Sequence, residues 1–379
     1  MLRVLGAGTQ FCDGIARREM LRIGGVGALS LWGGAHFDGP AAAAPPAAKA
    51  PARWGQARSV IFFSLWGGPA HQDTFDLKPD APAEFRGEFQ PIETNVSGIR
   101  ICEYLPRLAR LAHRYALVRS VTHEDTAHES ALYTELTGWP HPQPNTNPGP
   151  APSDYPPYGA VMGVLRPPRE PVPPYVVVGN IQATRVGQTG GFLGQSRGPF
   201  VIEKGAHEAD FTVPDLTLDA QVPGLRLDRR RKLLTQVDAV AARHSQRSDS
   251  TDIQRRAFEM LANSRIRSGF AVDQESKATR ERYGRHDVGQ NLLLARRLVE
   301  VGVPAIQVSW NHRGPWDTHG DNFNGHASMV PKVDQAFAAM IEGLAARTAK
   351  LPRVELAERL ELQPLAPCSV EALLSTVLD

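Results

Sequence analysis

The feature that most constrains the fold is the continuous apolar run at residues 59–65, which ends at Gly67, Gly68 and Pro69. A strand with one solvated face alternates apolar and polar side chains, whereas this run places apolar side chains on both faces. A strand buried on both faces needs a covering layer on each side, as in a parallel sheet packed between helices. The sequence therefore predicts an α/β fold with a central strand at this position.

Strand-like and helix-like segments alternate along the rest of the chain, as an α/β fold requires. Apolar runs predict further strands at residues 115–121, 174–178 and 303–310. Amphipathic spacing predicts helices at residues 105–114, 131–136, 288–301 and 329–346. Residues 185–225 read as irregular, and residues 226–285 read as a polar, solvent-facing helical insertion. We expect a three-layer αβα sandwich with a mainly parallel sheet.

Three of the predicted strands are each followed by a loop rich in histidine and aspartate. His71 and Asp73 follow the first strand, His123 follows the second, and Asp317 and His319 follow the last. Because the carboxyl ends of parallel strands meet at one edge of a sheet, we expect these side chains to lie close together. Imidazole and carboxylate groups suit a divalent metal, and zinc, iron, manganese, magnesium and calcium all remain open. Any one of these residues alone more commonly caps a helix or binds loop backbone.

Two hydroxyl groups, those of Thr126 and Ser130, stand near the start of the helix predicted after the second cluster. The ordinary role of a hydroxyl at this position is to cap the helix N-terminus. The position would also suit a nucleophile that attacks a phosphate or sulfate ester, because helix N–H groups favour anions. Thr126 is the hydroxyl candidate, and His128 is the second catalytic candidate or a further metal ligand. Capping remains the alternative.

The N-terminal region has the pattern of an export signal. Arg17 and Arg18 are followed by a short, weakly apolar segment at residues 23–32, too short to span a bilayer. An Ala/Pro-rich tract follows, typical of a flexible linker. We assign residues 1–39 to a twin-arginine signal region, 40–57 to a linker, 58–350 to the α/β domain and 351–379 to an atypical tail. We expect the mature chain to be periplasmic or extracellular, with the translocation machinery as its partner and no transmembrane anchor.

Composition excludes some other classes of protein. The formal net charge is only +2, so the chain offers no electrostatic reason to expect a nucleic-acid partner. The basic run at residues 229–232 is more typical of a solvated helix face than of a binding patch. Three cysteines at positions 12, 102 and 368 fit neither a disulfide framework nor a zinc knuckle. We interpret Cys102 as a small buried side chain.

Several segments together resemble the DUF1501 family, whose function is unknown and which is grouped by fold with alkaline phosphatases and sulfatases. The resemblance covers about residues 12–347 and is carried by residues 15–25, 65–79, 119–123, 128, 136–138 and 316–319. It implies an alkaline-phosphatase-like fold with a metal-dependent site that hydrolyses phosphate or sulfate esters. An exported binding or scaffold protein that keeps the fold without hydrolysis is the alternative.

The chain departs from the resemblance in two places. Where the related enzymes carry a nucleophilic hydroxyl before a Thr-Gly pair, this chain has His128 before Thr137 and Gly138. Residues 351–379 also lack the Glu-Phe-Gly-Arg-Thr-Pro and Gly-Arg-Asp-His-Trp motifs that family members carry after this point. A frameshift or truncation would explain the tail, and we then expect low stability and no turnover of either ester type.

The twin-arginine interpretation makes a direct prediction. Changing Arg17 and Arg18 together to Lys should leave the precursor in the cytoplasm, because this pathway recognises the arginine pair. Cell fractionation with an antibody against the chain measures the outcome. Export of the double variant at the normal level would contradict the prediction and indicate the general secretory route.

Overall fold

The computed structural model describes residues 57–82, 85–179, 186–213, 257–310 and 316–348, together with single positions 216, 229, 232, 233 and 236. Residues 58–353 group into one compact unit. The predicted signal region and linker (apart from residue 57), Asn311, His312 and the tail at residues 351–379 lie outside the described residues. Among the described helices, none has the length and apolar character needed to cross a bilayer.

The central element is a parallel four-stranded sheet with strand order β1-β6-β4-β5. Its strands are β1 (Val60–Ser64), β4 (Tyr175–Val178), β5 (Phe200–Ile202) and β6 (Ala305–Ser309), and a separate antiparallel pair comprises β2 (Pro91–Glu93) and β3 (Arg100–Cys102). In β6 every residue is buried, as a strand covered on both faces requires. The α/β class predicted from the sequence is confirmed.

The helices are α1 (Pro106–Ala109), α2 (His128–Thr137), α3 (Tyr158–Leu165), α4 (Ser264–Phe270), α5 (Lys277–Tyr283), α6 (Asp287–Val301) and α7 (Asn322–Thr348). Alternate residues of β4 point to opposite faces: Val176 and Val178 join the core with α6, whereas Tyr175 and Val177 pack with Ala160 of α3. Helices therefore cover both faces of the sheet.

A long helix at the C-terminal end of the described chain fixes part of this core. Phe337 of α7 lies against Phe63 of β1, with ring centroids 6.1 Å apart. Asp334, also on α7, is buried and accepts hydrogen bonds from the backbone N–H groups of Arg107 at 3.0 Å and Leu108 at 2.8 Å. Its carboxylate thus satisfies N–H groups that have no partner inside the short helix α1. This contact ties two segments that are far apart in the sequence.

Some sequence predictions were wrong in detail. The first apolar run does form a strand, β1, but among the described residues β1 lies at the edge of the sheet rather than at its centre, and only Ser64 of its five residues is buried. Residues 115–121 form no strand, and Val118 and Val121 are 53% and 80% exposed, because no neighbouring strand covers them. Strand β5 lies in the segment read as irregular, and the helix predicted at residues 105–114 divides into α1 and a 3-10 turn. Helix α7 begins seven residues before the predicted start at Met329.

The described part of the predicted helical insertion is not a solvent-facing appendage. Residues 257–262 are helical, and α4 and α5 pack against α6, with α5 also against α7. Ile266, Phe270 and Tyr283 are each at most 4% exposed within the same core as α6. Burial of these side chains overrides the polar average of the segment. Most of residues 217–256 lies outside the described residues.

Gly179, directly after β4, generates a prediction about packing at the edge of the sheet. Its φ is +111°, and an added Cβ would lie 2.1 Å from the carbonyl oxygen of Ser309. Gly179→Ala should lower the free energy of unfolding by about 3 kcal/mol, because backbone strain and overpacking add. Chemical denaturation measures the change.

Gly194→Ala is the matched control, because its φ is +90° and its added Cβ would meet open space. The control should lose only about 1–2 kcal/mol, the cost of its positive-φ, extended backbone conformation alone. Equal losses for the two variants would contradict a close backbone approach at Gly179.

Candidate functional site

The candidate site lies where the loops after β1 and β6 leave the same edge of the sheet. The two strands are parallel neighbours, with Ser64 opposite Ser309 at their carboxyl ends. Gly67, with φ +99°, brings the first loop so close that a Cβ there would lie 2.6 Å from the backbone nitrogen of Asp317. A side chain at position 67 would push the two loops apart, so this glycine sets the position of Asp317.

Three of the residues named from the sequence meet at this edge. The Oδ2 atom of Asp317 lies 3.0 Å from Nε2 of His128 and 2.8 Å from Nε2 of His319. We call His128, Asp317 and His319 the His–Asp–His cluster. Its side chains are 53%, 30% and 81% exposed, so a solute can reach them. His319 has φ +56°, a left-handed conformation that is uncommon for residues other than glycine and is found more often at functional sites.

The donor atoms of the cluster suit a divalent metal, although the imidazole nitrogens contact the carboxylate oxygen directly as they stand. Two imidazole nitrogens and one carboxylate oxygen are common ligands of zinc and iron. Among the described residues, no group of three or more His, Cys, Asp or Glu side chains is already arranged to hold an ion. Ion binding would therefore require these three side chains to change their orientation.

A second titratable group lies along the same helix. His128 and Glu135 are seven residues apart on α2, which places them on one face of the helix. Glu135 accepts a hydrogen bond of 2.9 Å from the hydroxyl of Ser64, at the carboxyl end of β1. Desolvation raises the pKa of Glu135, and the hydrogen bond from Ser64 and the charge of nearby His123 oppose that rise. A carboxyl group of raised pKa and an exposed imidazole therefore flank the loop after β1.

Asp73, predicted as a metal ligand, is instead part of a buried hydrogen-bonded network. Its Oδ2 atom lies 2.9 Å from Nδ1 of His326 and accepts a hydrogen bond of 2.8 Å from Asn322. Asp73 and His326 are each 1% exposed. Asn322 and His326 are four residues apart at the start of α7, so both face the carboxylate. The ring of Trp316 packs against His326 with centroids 5.3 Å apart, one residue before Asp317.

His71 and His123 also lie apart from the cluster in their described contacts. His71 is exposed, and its charge makes a small contribution to the lowered pKa of Asp76, whose main cause is the hydrogen bond from Lys78. The Nδ1 atom of His123 accepts a hydrogen bond of 3.2 Å from the backbone of Asp125. The structure thus brings together His128, Asp317 and His319, and places His71, Asp73 and His123 in other surroundings.

The two hydroxyl candidates hold loops together. Thr126 is exposed, and its Oγ1 donates a hydrogen bond of 2.9 Å to Asn145. Ser130 is fully buried, and its hydroxyl contacts Asp125 at 2.6 Å and the carbonyl oxygen of Thr146 at 2.9 Å. The N-cap of α2 is Ala127 with no side-chain capping bond, so the capping interpretation of both hydroxyls was wrong.

The hydrogen bonds around Ser130 also set the direction in which the pKa of Asp125 shifts. Desolvation works to raise its pKa, but hydrogen bonds from the Ser130 hydroxyl and from the backbone N–H groups of Ala127 and Asn145 lower it on balance. Asp125 therefore stays ionised and fastens the loop before α2 to the loop at residues 145–147.

Cys102 is buried, as the sequence indicated, and burial raises its pKa to about 11. A thiol of this pKa is protonated near neutral pH and is a poor nucleophile. Sequence reasoning missed Ser64, Trp66, Glu135 and His326. The i, i+7 spacing of His128 and Glu135 could have revealed Glu135, because both then lie on one helical face.

The contrast between Asp73 and Asp317 gives a test of their roles. Asp73→Ala should lower the free energy of unfolding by about 3–5 kcal/mol, because it leaves the buried groups of His326 and Asn322 without their acceptor. Asp317→Ala, the matched control, should cost less than about 1 kcal/mol because its partners are solvent-exposed. Chemical denaturation in the presence of a chelator measures both without a contribution from bound metal. A loss at Asp317 as large as that at Asp73 would contradict this assignment.

Comparison with known proteins identifies the family. No curated protein and no solved structure matches the chain. The sequence profile of the family described as "Protein of unknown function (DUF1501)" matches residues 57–349, which include every residue of the site described above. The chain therefore belongs to the DUF1501 family.

Proposed function

We propose that the His–Asp–His cluster binds a divalent metal and forms the centre of a site for phosphate or sulfate esters. The observation that carries the proposal is that two imidazole nitrogens lie within 3.0 Å of one carboxylate oxygen, at the open carboxyl edge of a parallel sheet. Open α/β sheets place their ligands at this edge. The family assignment gives no activity of its own, so the proposal depends on this geometry.

The separation of the donor atoms supports a metal. Bonds of about 2.1 Å place neighbouring ligand atoms about 3.0 Å apart in an octahedral site and about 3.4 Å apart in a tetrahedral one. The distances from Oδ2 of Asp317 to Nε2 of His128 and His319 are 3.0 and 2.8 Å, close to the octahedral spacing and somewhat short of the tetrahedral one. The exposed rings can rotate at little cost, so an ion could come between the rings and the carboxylate. A bound divalent ion would stabilise the negative charge that develops on the transferring group.

Other side chains near the cluster are candidates for the apolar wall, the proton-transfer groups and the hydroxyl that ester hydrolysis would use. Trp66 lies beside the cluster, with its ring centroid 6.1 Å from that of His128, and forms an apolar wall. Glu135 and His123 are candidates to accept and donate protons, because Glu135 has a raised pKa and the charge of His123 acts on it. Thr126, exposed and two residues before His128, is the hydroxyl candidate, and its proton is held by Asn145.

One observation favours a second function, an exported binding or scaffold protein without hydrolysis. The hydroxyl groups of Thr126 and Ser130 both have structural hydrogen-bond partners, and Ser130 is fully buried. A chain that retains the metal ligands but uses both of these hydroxyls for structural contacts could bind an oxyanion without cleaving its ester. Under both functions we propose that the protein acts outside the cytoplasm after twin-arginine export.

Metal binding by the purified full-length chain tests the proposal. We expect the chain to bind zinc or manganese. We expect Asp317→Asn, His128→Gln and His319→Gln each to weaken metal binding by at least about tenfold, because each variant loses one metal ligand. Isothermal titration calorimetry and elemental analysis measure this. His207→Gln, at an exposed histidine outside the cluster, is the control and should bind as the unaltered chain does.

Turnover of an aryl phosphate and an aryl sulfate then separates the two functions. Metal-dependent turnover that is lost in Asp317→Asn would support the hydrolase. It would also contradict the expectation that a chain with the atypical tail at residues 351–379 is inactive. Metal binding without turnover would favour the binding or scaffold function. Binding that is equal in the control and in all three cluster variants would rule out the proposed site.

A further inference from the structure

A cavity of about 110 Å³ lies on another part of the surface, between the second half of the loop after β1 and the β2–β3 pair. Its lining includes Asp76, Lys78, Gly98, Arg100 and Arg119. None of these residues belongs to the His–Asp–His cluster. Residues 76–79 and Arg119 come from two of the segments that carry the resemblance to DUF1501 proteins, and the proposed metal site gives them no role.

The charge of the lining is strongly unbalanced. Lys78, Arg100 and Arg119 contribute three positive charges, and Asp76 contributes one negative charge. The carboxylate of Asp76 contacts Lys78 at 2.6 Å and Arg119 at 3.6 Å. The single carboxylate of Asp76 holds the Lys78 and Arg119 side chains at the cavity wall, but it neutralises only part of their positive charge. An anion is therefore the ligand that this lining favours.

The basic side chains of the cavity also have hydrogen-bond donors, and contacts with the protein hold the guanidinium of Arg119 in place. Arg119 donates to the carbonyl oxygen of Arg100 at 3.2 Å while it pairs with Asp76. A guanidinium has five N–H donors and an ammonium has three, so these contacts engage part of their capacity. Arginine binds the oxygens of phosphate and sulfate through two parallel N–H groups. Because these contacts already hold the Arg119 side chain in place, it can bind a tetrahedral oxyanion with little further loss of conformational entropy.

Two residues of the lining have a positive φ. Lys78 has φ +52°, a left-handed conformation that costs energy in a residue other than glycine and is often associated with a binding role. Gly98 has φ +81°, and a Cβ added there would meet open space. The volume is enough for several water molecules, and hence for one tetrahedral anion.

We propose that this cavity binds a tetrahedral oxyanion, namely a sulfate or phosphate group, either free or carried on an ester. Lys78 and Arg119 are its charged contacts, Asp76 positions them, and Gly98 leaves room for the ligand. The site is separate in its residues from the His–Asp–His cluster, so it stands or falls independently of metal binding and ester hydrolysis.

Isothermal titration calorimetry of the full-length chain with sodium sulfate and with sodium phosphate, at constant ionic strength and with a chelator present, tests the proposal. We expect saturable binding that Arg119→Gln weakens by at least about tenfold, because a charge-assisted contact is lost. Arg119→Lys keeps the charge but loses the two-pronged contact, and should fall between the two. Arg169→Gln, an exposed arginine outside the cavity, should change the affinity by less than about twofold.

Two matched substitutions of Gly98 test the proposal independently of any folding defect in the arginine variants. Asn and Asp both tolerate a positive φ better than other residues with side chains. Gly98→Asp places a negative charge at the cavity and should abolish binding, whereas Gly98→Asn should keep most of it. Thermal unfolding midpoints that agree between the two would show that charge, rather than folding, causes the difference.

Two further measurements identify the source of the group. A monosaccharide sulfate and a monosaccharide phosphate are titrated beside the inorganic ions: tighter binding of an ester indicates a sugar-borne group, and equal binding indicates the free anion. No saturable binding of any of the four probes would overturn the proposal. Binding that Arg119→Gln and Gly98→Asp leave unchanged would also overturn it.

Discussion

The buried carboxylate of Asp73 joins the loop after β1 to the start of α7 through His326 and Asn322. Groups of this kind lose their hydration when the chain folds, and only close hydrogen-bonded partners compensate that loss. The network therefore tolerates little displacement of the loop relative to the helix. Trp316 packs on His326, so the position of the next residue, Asp317, depends on the same network. The position of the His–Asp–His cluster thus depends on a buried contact that a ligand cannot reach.

Burial on both faces made two strands of the parallel sheet recognisable in the sequence. Strands β4 and β6 are buried along their whole length and coincide with largely apolar runs, because helices cover them above and below. Strand β1 also coincides with an apolar run, although it lies at the edge of the described sheet and is mostly half-buried. The same pattern misled at residues 115–121, where Val118 and Val121 face solvent. Strand β5 has three residues, too few to show a periodicity, and its pairing with β4 is a tertiary interaction that local sequence does not specify.

The residue types of the candidate site were predictable, but their roles were not. Asp73 and Asp317 both follow a strand and both stand near histidines, and the sequence gives no reason to separate them. Burial separates them: Asp73 is 1% exposed, whereas the side chain of Asp317 is 30% exposed. His326 lies inside a long helix, where a histidine gives no sequence signal of its own. Its role follows only from the fold, which brings α7 against a loop some 250 residues earlier in the chain.

The loop after β1 serves two surfaces at once, and Asp73 lies between them. Before Asp73, Gly67 packs against the backbone at Asp317 and so helps to shape the His–Asp–His cluster. After Asp73, Asp76 and Lys78 form the wall of the cationic cavity. The carbonyl oxygen of Thr74 also accepts a hydrogen bond of 2.8 Å from Cys102 of β3, which fixes the loop to the other wall. Because buried contacts hold its centre, both ends of the loop are positioned before any ligand arrives, and ligand binding need not supply the energy to order them.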